Sequence, residues 1–383
     1  MAIEKAFNDV KSIEFQVFFD GNGCVNYDTP DQIYQLNKMG FTKGDERFWY
    51  GNDNSKKLLN NIKFSKKTYR PKTQNSNEYE QCTYISADAL RKALFKDAIP
   101  FISPTIQTNP YVLHSCIAHP SMLLRGYLFP GSQTPYKRTG PFSITNAREV
   151  YEGTCDNVWK DYVDITIHSR SGFKENKDGK GKEDAKDTSL YWAENIGKSQ
   201  YMANGYIDLG ELSFISCDKL YDRQNVQLDG GVFANVYMDN LKRHMVNFTP
   251  EPKYYYMSNT YTEDEWAEFG ILLNQESVDM MVKQMLMRLC TMSIYRSTAM
   301  LKTSKVIITV NFENVSETFE ITNDDINKFW FGYKQTYFEA DESKIIAHQK
   351  LMEEINLKSK QKNASNKKSS KKENEDESDG AED

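Results

Sequence analysis

Apolar and polar positions along the chain fall into stretches of two kinds. Ile13 to Asp20 (IEFQVFFD) partly alternates and predicts a first strand, ended by the turn Gly21-Asn22-Gly23. Tyr162 to Ser169 alternates well. Tyr206 to Cys217 reads as a long strand bent at Gly210. Val306 to Val310 is β-branched without alternation, which predicts a strand buried on both faces. VSETFEITNDD adds another strand, and DINKFWFGYKQTYFE a short aromatic segment. Val226 to Tyr237, with Gly230-Gly231, predicts a hairpin or a strand entry.

Helical periodicity is clearest over Asn274 to Met292. Asn274 can cap, and Val278, Met281, Val282, Met285, Leu286, Leu289 and Met292 share one face. A second helix is expected over 31–40, closed by Gly40. A third starts at Ser86, with Ala89, Leu90, Ala93 and Leu94 as its apolar stripe. Residues 48–51 and 57–64 suit strand or short helix. Ser65 to Glu80 is polar and basic and reads as an exposed loop. Its Lys66, Lys67, Arg70 and Lys72 form a solvated face or a second contact for a nucleic-acid backbone. The whole is an α+β chain without internal repeats.

Two charged segments have nothing to bury. KENKDGKGKEDAKD is expected to be a mobile loop or the tip of a long hairpin. Residues 356–383, lysine-rich and then acidic, are expected to be a disordered tail after a short helical extension over 341–355.

Composition narrows the function. The 383 residues carry a formal charge of −6, with a pI near 5.6, so indiscriminate coating of nucleic acid is excluded. Aromatic residues reach 13%, enough for both a core and stacking surfaces. The six cysteines are widely and irregularly spaced, which suits reduced thiols rather than a disulfide frame or zinc site. No apolar signal core and no membrane-length run occurs, so a cytoplasmic protein is expected. No Walker, GxGxxG, HExxH, GxSxG or kinase motif is present, and neither cofactor nor metal is implied.

Against that acidic background, residues 98–147 contain no Asp or Glu. Within or beside that run lie His114, His119, Arg125, Lys137, Arg138 and Arg148, interleaved with Tyr111, Tyr127, Phe129, Tyr136 and Phe142. Cations hold a polyanionic backbone and aromatic faces stack on bases, so a local nucleic-acid groove is one reading. A loop-rich core segment with solvated charges is the other. Just upstream, Arg91 and Lys92 lie close to the expected amide-rich end of the Ser86 helix. Cations there oppose the helix dipole, which suits a bound phosphate instead. Tyr295, Arg296, Lys302 and Lys305 form a second basic junction. His114 and His119 also permit a metal-independent ribonuclease, with one acting as base and the other as acid. A structural phage or assembly protein with no nucleic-acid role is a further alternative.

Several short stretches carry a family resemblance. Ser86-Ala87-Asp88-Ala89-Leu90-Arg91 resembles the Ser-x-x-x-Leu-Arg helix start of RAMP-superfamily backbone subunits, which line the guide RNA in CRISPR Cascade complexes. Leu123-Leu124-Arg125-Gly126-Tyr127, Ser169-Arg170-Ser171-Gly172 and Tyr206-Ile207-Asp208-Leu209-Gly210-Glu211-Leu212 add to the likeness. It is nearest to the minimal, variant form of the F subtype and runs in patches over 11–340. The resemblance implies an RRM/ferredoxin-like palm over 1–340, with web and thumb-like insertions. It also implies a non-catalytic role. Copies would stack head to tail along the guide RNA, beside other Cascade subunits, with target DNA reached through base pairing. The residues it assigns to RNA are Ser86, Arg91, Lys92, Arg125, Tyr136, Lys137, Arg138, Arg170, Arg296 and Lys302; His114, from the acid-free run, is a further RNA-binding candidate. The glycines common around the family's helix start are absent here.

Overall fold

The structure is a computed structural model. It describes residues 3–22, 66–71, 79–96, 109–129, 136–150, 163–171, 188–196, 198–218, 224–228, 231–257, 267–296 and 299–354. The helix expected over 31–40, the segments 48–51 and 57–64, Lys72, the charged stretch 174–187 and the tail 356–383 lie outside the described residues. The fold is mixed α and β with antiparallel sheets. It divides into two compact units, each built from three separate segments.

The first unit comprises residues 1–103, 140–208 and 279–332. Its main sheet is crossed by seven successive strands: β1 (Ser12–Asn22), β2 (Lys66–Pro71), β3 (Tyr79–Ile85), β4 (Ala147–Glu149), β5 (Lys198–Asp208), β6 (Ser293–Arg296) and β7 (Ala299–Asn311). Their order is β6-β7-β1-β5-β4-β3-β2. Phe142–Ile144 also pairs with β5, and Ser316–Ile321 with β7. The alternation of β1 explains its place at the centre. Ile13, Phe15, Val17 and Phe19 are buried, while Glu14, Gln16 and Asp20 are exposed. Opposite them, Tyr201, Ala203 and Ile207 of β5 and Leu301, Val306, Ile308 and Val310 of β7 fill the same core. β7 therefore buries one face, not two, because Ile307 and Thr309 are only half-buried.

Helix Gln275–Thr291 begins where its sequence predicts, with Asn274 Oδ1 accepting from Ser277 N at 3.2 Å. Met281, Val282, Met285, Leu286 and Leu289 are fully buried along its length. Buried Thr303 of β7 fastens the helix end, donating from Oγ1 to Leu289 O at 2.8 Å and from N to Met292 O at 3.0 Å. Helix Ala87–Leu94 buries Leu90 and Leu94. Elsewhere, Phe7 on the strand Lys5–Val10 stacks on both Phe319 and Phe331.

Several expectations are corrected. Lys66–Pro71 is not a loop but the sheet's outermost strand, paired with β3. Charge on an edge strand discourages further strand addition, so a basic sequence is compatible with that position. Tyr206 to Cys217 is not one bent strand: β5 ends at Asp208, a single helical turn covers Leu209–Ser213, and a new strand runs Phe214–Ser216. Val226 to Tyr237 is no hairpin. Gly231 is the N-cap of helix Val232–His244, whose last turn carries Lys242, Arg243 and His244, where cations favour a helix. The expected strand at Tyr162 is Val163–Ser171, which forms an antiparallel hairpin with Thr188–Ile196.

The second unit comprises residues 104–139, 209–278 and 333–383. Its four-stranded sheet runs Phe214–Ser216, Glu268–Leu272, Lys253–Met257, Tyr337–Glu339. The ring of Phe214 stacks on Tyr337 at 4.1 Å, with Tyr255 edge-on at 5.7 Å, and the three rings form the buried core of this sheet. Helices Pro110–Ile117 and Pro120–Arg125 each start on a proline behind a capping side chain, Asn109 and His119. A helix over 342–354 follows. It is fastened through His348, whose Nε2 lies 3.1 Å from Asp218 Oδ2, both side chains being buried.

Candidate nucleic-acid interface

The acid-free stretch is shared between the units. Ser86, Arg91, Lys92, Arg170, Arg296 and Lys302 belong to the first; His114, Arg125, Tyr136, Lys137 and Arg138 belong to the second.

At the start of helix Ala87–Leu94, Ser86 Oγ accepts from Ala89 N at 3.3 Å and Asn146 Oδ1 accepts from Ala87 N at 2.8 Å. These first-turn amides are therefore already bonded within the protein. The helix is only eight residues long, so Arg91 and Lys92 sit in its last turn. There they complement the helix dipole rather than oppose it, so dipole opposition gives no reason for a phosphate to bind here. Lys92 remains exposed, as does Lys96 just beyond the helix. Lys96 and Arg288 line an open cleft with Ala93 and Ser293, and Arg288 Nη1 donates to Leu94 O at 3.1 Å.

Two members of the expected set are built into the interior. Arg138 is 5% exposed. Its Nε donates to Leu123 O at 3.0 Å, Nη1 to Phe214 O at 2.8 Å and Asn225 Oδ1 at 2.9 Å, and Nη2 to Glu211 O at 2.8 Å. A guanidinium holds five donors in a fixed fork, and here they are committed to backbone carbonyls and to the Asn225 side-chain oxygen. Arg138 joins three separate segments of its unit and is not an RNA contact. His114 is 3% exposed. Its Nδ1 donates to Pro110 O at 2.7 Å, its ring stacks on Phe233 at 5.5 Å, and Tyr136 meets it edge-on. His114 is therefore a core histidine, available neither to RNA nor as a ribonuclease base.

Arg125, Tyr136 and Lys137 stay half-exposed. Arg170 and Arg296 are placed by register, opposite Ser189 and Ala299 respectively; their side chains lie outside the described residues. Exposed Lys302 stands opposite Asp20 on β1 and Ser293 on β6. His119 finds a partner that sequence spacing hides: its ring lies 5.0 Å from that of His244. Partial burial, then the neighbouring His119 and Arg243, hold the His244 imidazole below its usual pKa.

Sequence reasoning missed the open face of the main sheet. Its signal was the alternation of β1 and β5, but which side chains align depends on register. One cross-strand row reads Lys305, Phe18, Met202, Arg148, Tyr84 over β7, β1, β5, β4 and β3. Directly opposed residues share a sheet face. Lys305 and Arg148 are exposed, and Phe18, Met202 and Tyr84 half-exposed. Neighbouring positions on this face include Gln16, Asn204 and Tyr206, the last 47% exposed.

Among the described residues no group of three or more His, Cys, Asp or Glu side chains is arranged to hold a metal. Cys116, Cys217 and Cys290 are free thiols. Burial pushes Cys116 up to about 12 and Cys290 up to about 11, so neither is a ready nucleophile. No helix among the described residues is long and apolar enough to cross a membrane.

A search of curated proteins finds no match to the chain. The family described as Type I-Fv CRISPR-associated protein Cas7fv-like does match, over residues 9–341. That span contains the main sheet, helices Val232–His244 and Gln275–Thr291 and nearly all the cations discussed above, and the chain therefore belongs to the Cas7fv-like family, as a RAMP-type backbone subunit of a Cascade-like CRISPR complex.

Proposed function

We propose that the chain is a non-catalytic subunit that lines a CRISPR guide RNA, its copies docking head to tail along the strand beside other Cascade subunits. The family match over 9–341 carries this reading. Physical chemistry agrees with it. A subunit that repeats along RNA must hold phosphates and ribose without reading base edges, leaving the bases to pair with target DNA. One face of a copy meeting a different face of the next lets such a row grow without closing.

The first unit serves as the RRM-like palm, and the interruption of each unit by the other is consistent with a palm carrying large insertions. The hairpin Val163–Ser171/Thr188–Ile196 is the best candidate for the thumb. Lys92, Arg125, Lys137 and Lys302 remain suited to RNA, whereas His114 and Arg138 do not. The cytoplasm is the compartment this role requires.

The test is to purify the chain from cells containing a CRISPR array and measure the A260/A280 ratio and the length of bound RNA. The expected result is RNA of guide length, protected from added nuclease. Bare protein that polymerises without RNA would refute the reading. Labelled repeat RNA should also stay intact; cleavage lost in His119→Ala and His244→Ala would instead make the protein a ribonuclease.

A further inference from the structure

In the second unit, Lys242, Arg243 and His244 end helix Val232–His244, and the ring of His244 lies 5.0 Å from that of His119. Lys242 and Arg243 are exposed. Among the described residues neither makes an ion pair, although Asp239 stands one turn before them. Other lysines of the unit do find carboxylates: Lys253 meets Glu251 and Glu339 at 3.4 Å, and Lys344 meets Asp341 at 3.0 Å. The helix dipole accounts for cations at this end of the helix. It does not account for His119, which joins them from the start of another helix. His119 Nδ1 accepts from Ser121 N at 3.2 Å, so the neutral ring carries its proton on Nε2. That ring has an N–H rather than a lone pair for a further partner, which suits an anion and not a metal.

The same chain carries the complementary charge. Residues 373–383 read ENEDESDGAED, with seven carboxylates and no cation. They follow helix 342–354, which the buried His348–Asp218 contact fastens to this same unit. Residues 355–372 lie between, and that length of chain spans up to about 60 Å. A compact body of this size is only about 40 Å across, so all of its surface is within reach. We propose that the acidic block 373–383 docks on Lys242, Arg243 and the His119–His244 pair of its own chain, as an internal polyanion that any external one must displace. Tethering raises its local concentration to roughly millimolar, so a few individually weak pairs are enough. Exposed pairs are screened by salt, which makes the contact reversible. A nucleic-acid strand is less well matched, because the two rings of the cluster pack edge to face on each other, and single strands are fixed by stacking on open aromatic faces. The inference does not depend on the RNA-binding role proposed above.

The experiment uses the full chain, freed of nucleic acid, at low salt, with a carbodiimide that joins carboxylates to amines in direct contact. Peptide mapping is expected to join Lys242 to carboxylates of 373–383. A mixture of isotopically heavy and light protein should show the link within single chains. High salt, excess inorganic polyphosphate and Arg243→Gln should each lower the yield about fivefold. E373Q, E375Q, D376N and E377Q together should do the same, while Asp379, Glu382 and Asp383 remain as attachment points. Thermal melts establish that each variant is folded. The proposal is overturned if Lys242 joins no residue of 373–383. It is equally overturned if the yield withstands both salt and Arg243→Gln, since the link would then record chance collision, or if heavy joins light, since the block would then bridge copies. A single-stranded RNA that loses affinity in the Lys242→Gln, Arg243→Gln double variant, yet binds alike with and without the four acids, would also overturn it and give the cluster to nucleic acid.

Discussion

Replacing Arg138 with Met tests whether the most basic part of the acid-free stretch is interior scaffolding or RNA surface. The substitution keeps volume and removes the fork. Leu123 O, Phe214 O and Glu211 O then lose donors now at 2.8–3.0 Å. Asn225 Oδ1 keeps a second donor, Ser216 N at 2.9 Å. Three buried acceptors at about 1–3 kcal/mol each amount to about 3–9 kcal/mol. Releasing the guanidinium from burial returns several kcal/mol. The net loss is therefore about 1–5 kcal/mol. Arg138→Lys should recover little, because one ammonium cannot span carbonyls from three segments. Urea unfolding followed by circular dichroism measures the loss, and hydrogen exchange should localise it to peptides around 123, 211–216 and 225. Below the unfolding transition, RNA affinity and its salt dependence should equal wild type. An unchanged urea midpoint combined with a reduced salt slope would refute the reasoning and return Arg138 to the RNA.

Other perturbations follow from single features. A Cβ at Gly205 would run into the Phe15 ring and the Ser143 carbonyl, so Gly205→Ala should cost about 1–3 kcal/mol in urea unfolding. Asp218→Asn removes the carboxylate that faces His348 and accepts from Phe269 N at 2.9 Å; limited proteolysis should then cut helix 342–354 faster. Replacing Arg91 and Lys92 together with Ala should lower stability by about 0.6–2 kcal/mol through the lost helix-end interaction. It should also weaken RNA binding through Lys92 and flatten its salt dependence. The folded pKa of His244 lies below its unfolded value, so the unfolded chain takes up the proton first as pH falls. Stability should be full above about pH 6.5 and decline below it, down through the lower folded value. His244→Gln should flatten that part of a melting-temperature curve against pH.

What the sequence makes legible divides by range. Ile13 to Asp20 and Asn274 to Met292 announce their elements because a period of two or of 3.6 is written in adjacent residues. The guanidinium of Arg138 does not, since its partners Phe214 and Asn225 lie 76 and 87 residues away. Arg91 and Lys92 were misplaced for a smaller reason. Their effect on the helix depends on where it ends, and nothing local marks Phe95 as its C-cap. The His119–His244 pair and the row through Arg148 depend on which helices pack and which strands align. Register is decided by the whole sheet, and a one-residue slip would turn the row inward. Four short stretches, the Ser-x-x-x-Leu-Arg helix start among them, together point to the family, even though Ser86 itself proves to be occupied as a cap.

The centre of the main sheet joins the first and last parts of the chain: Ser304 bonds to the carbonyl of Phe18 across 286 residues of sequence. On a ribosome adding roughly 5–20 residues each second, β1 waits about 15–60 s for β7 to emerge. Throughout that interval Ile13, Phe15, Val17 and Phe19 have no native partner on that side. The nascent protein must therefore depend on a holding chaperone, or on slow late condensation, to a degree that a chain of contiguous domains does not. Truncating the message before β7 should yield an aggregate rather than a smaller folded piece.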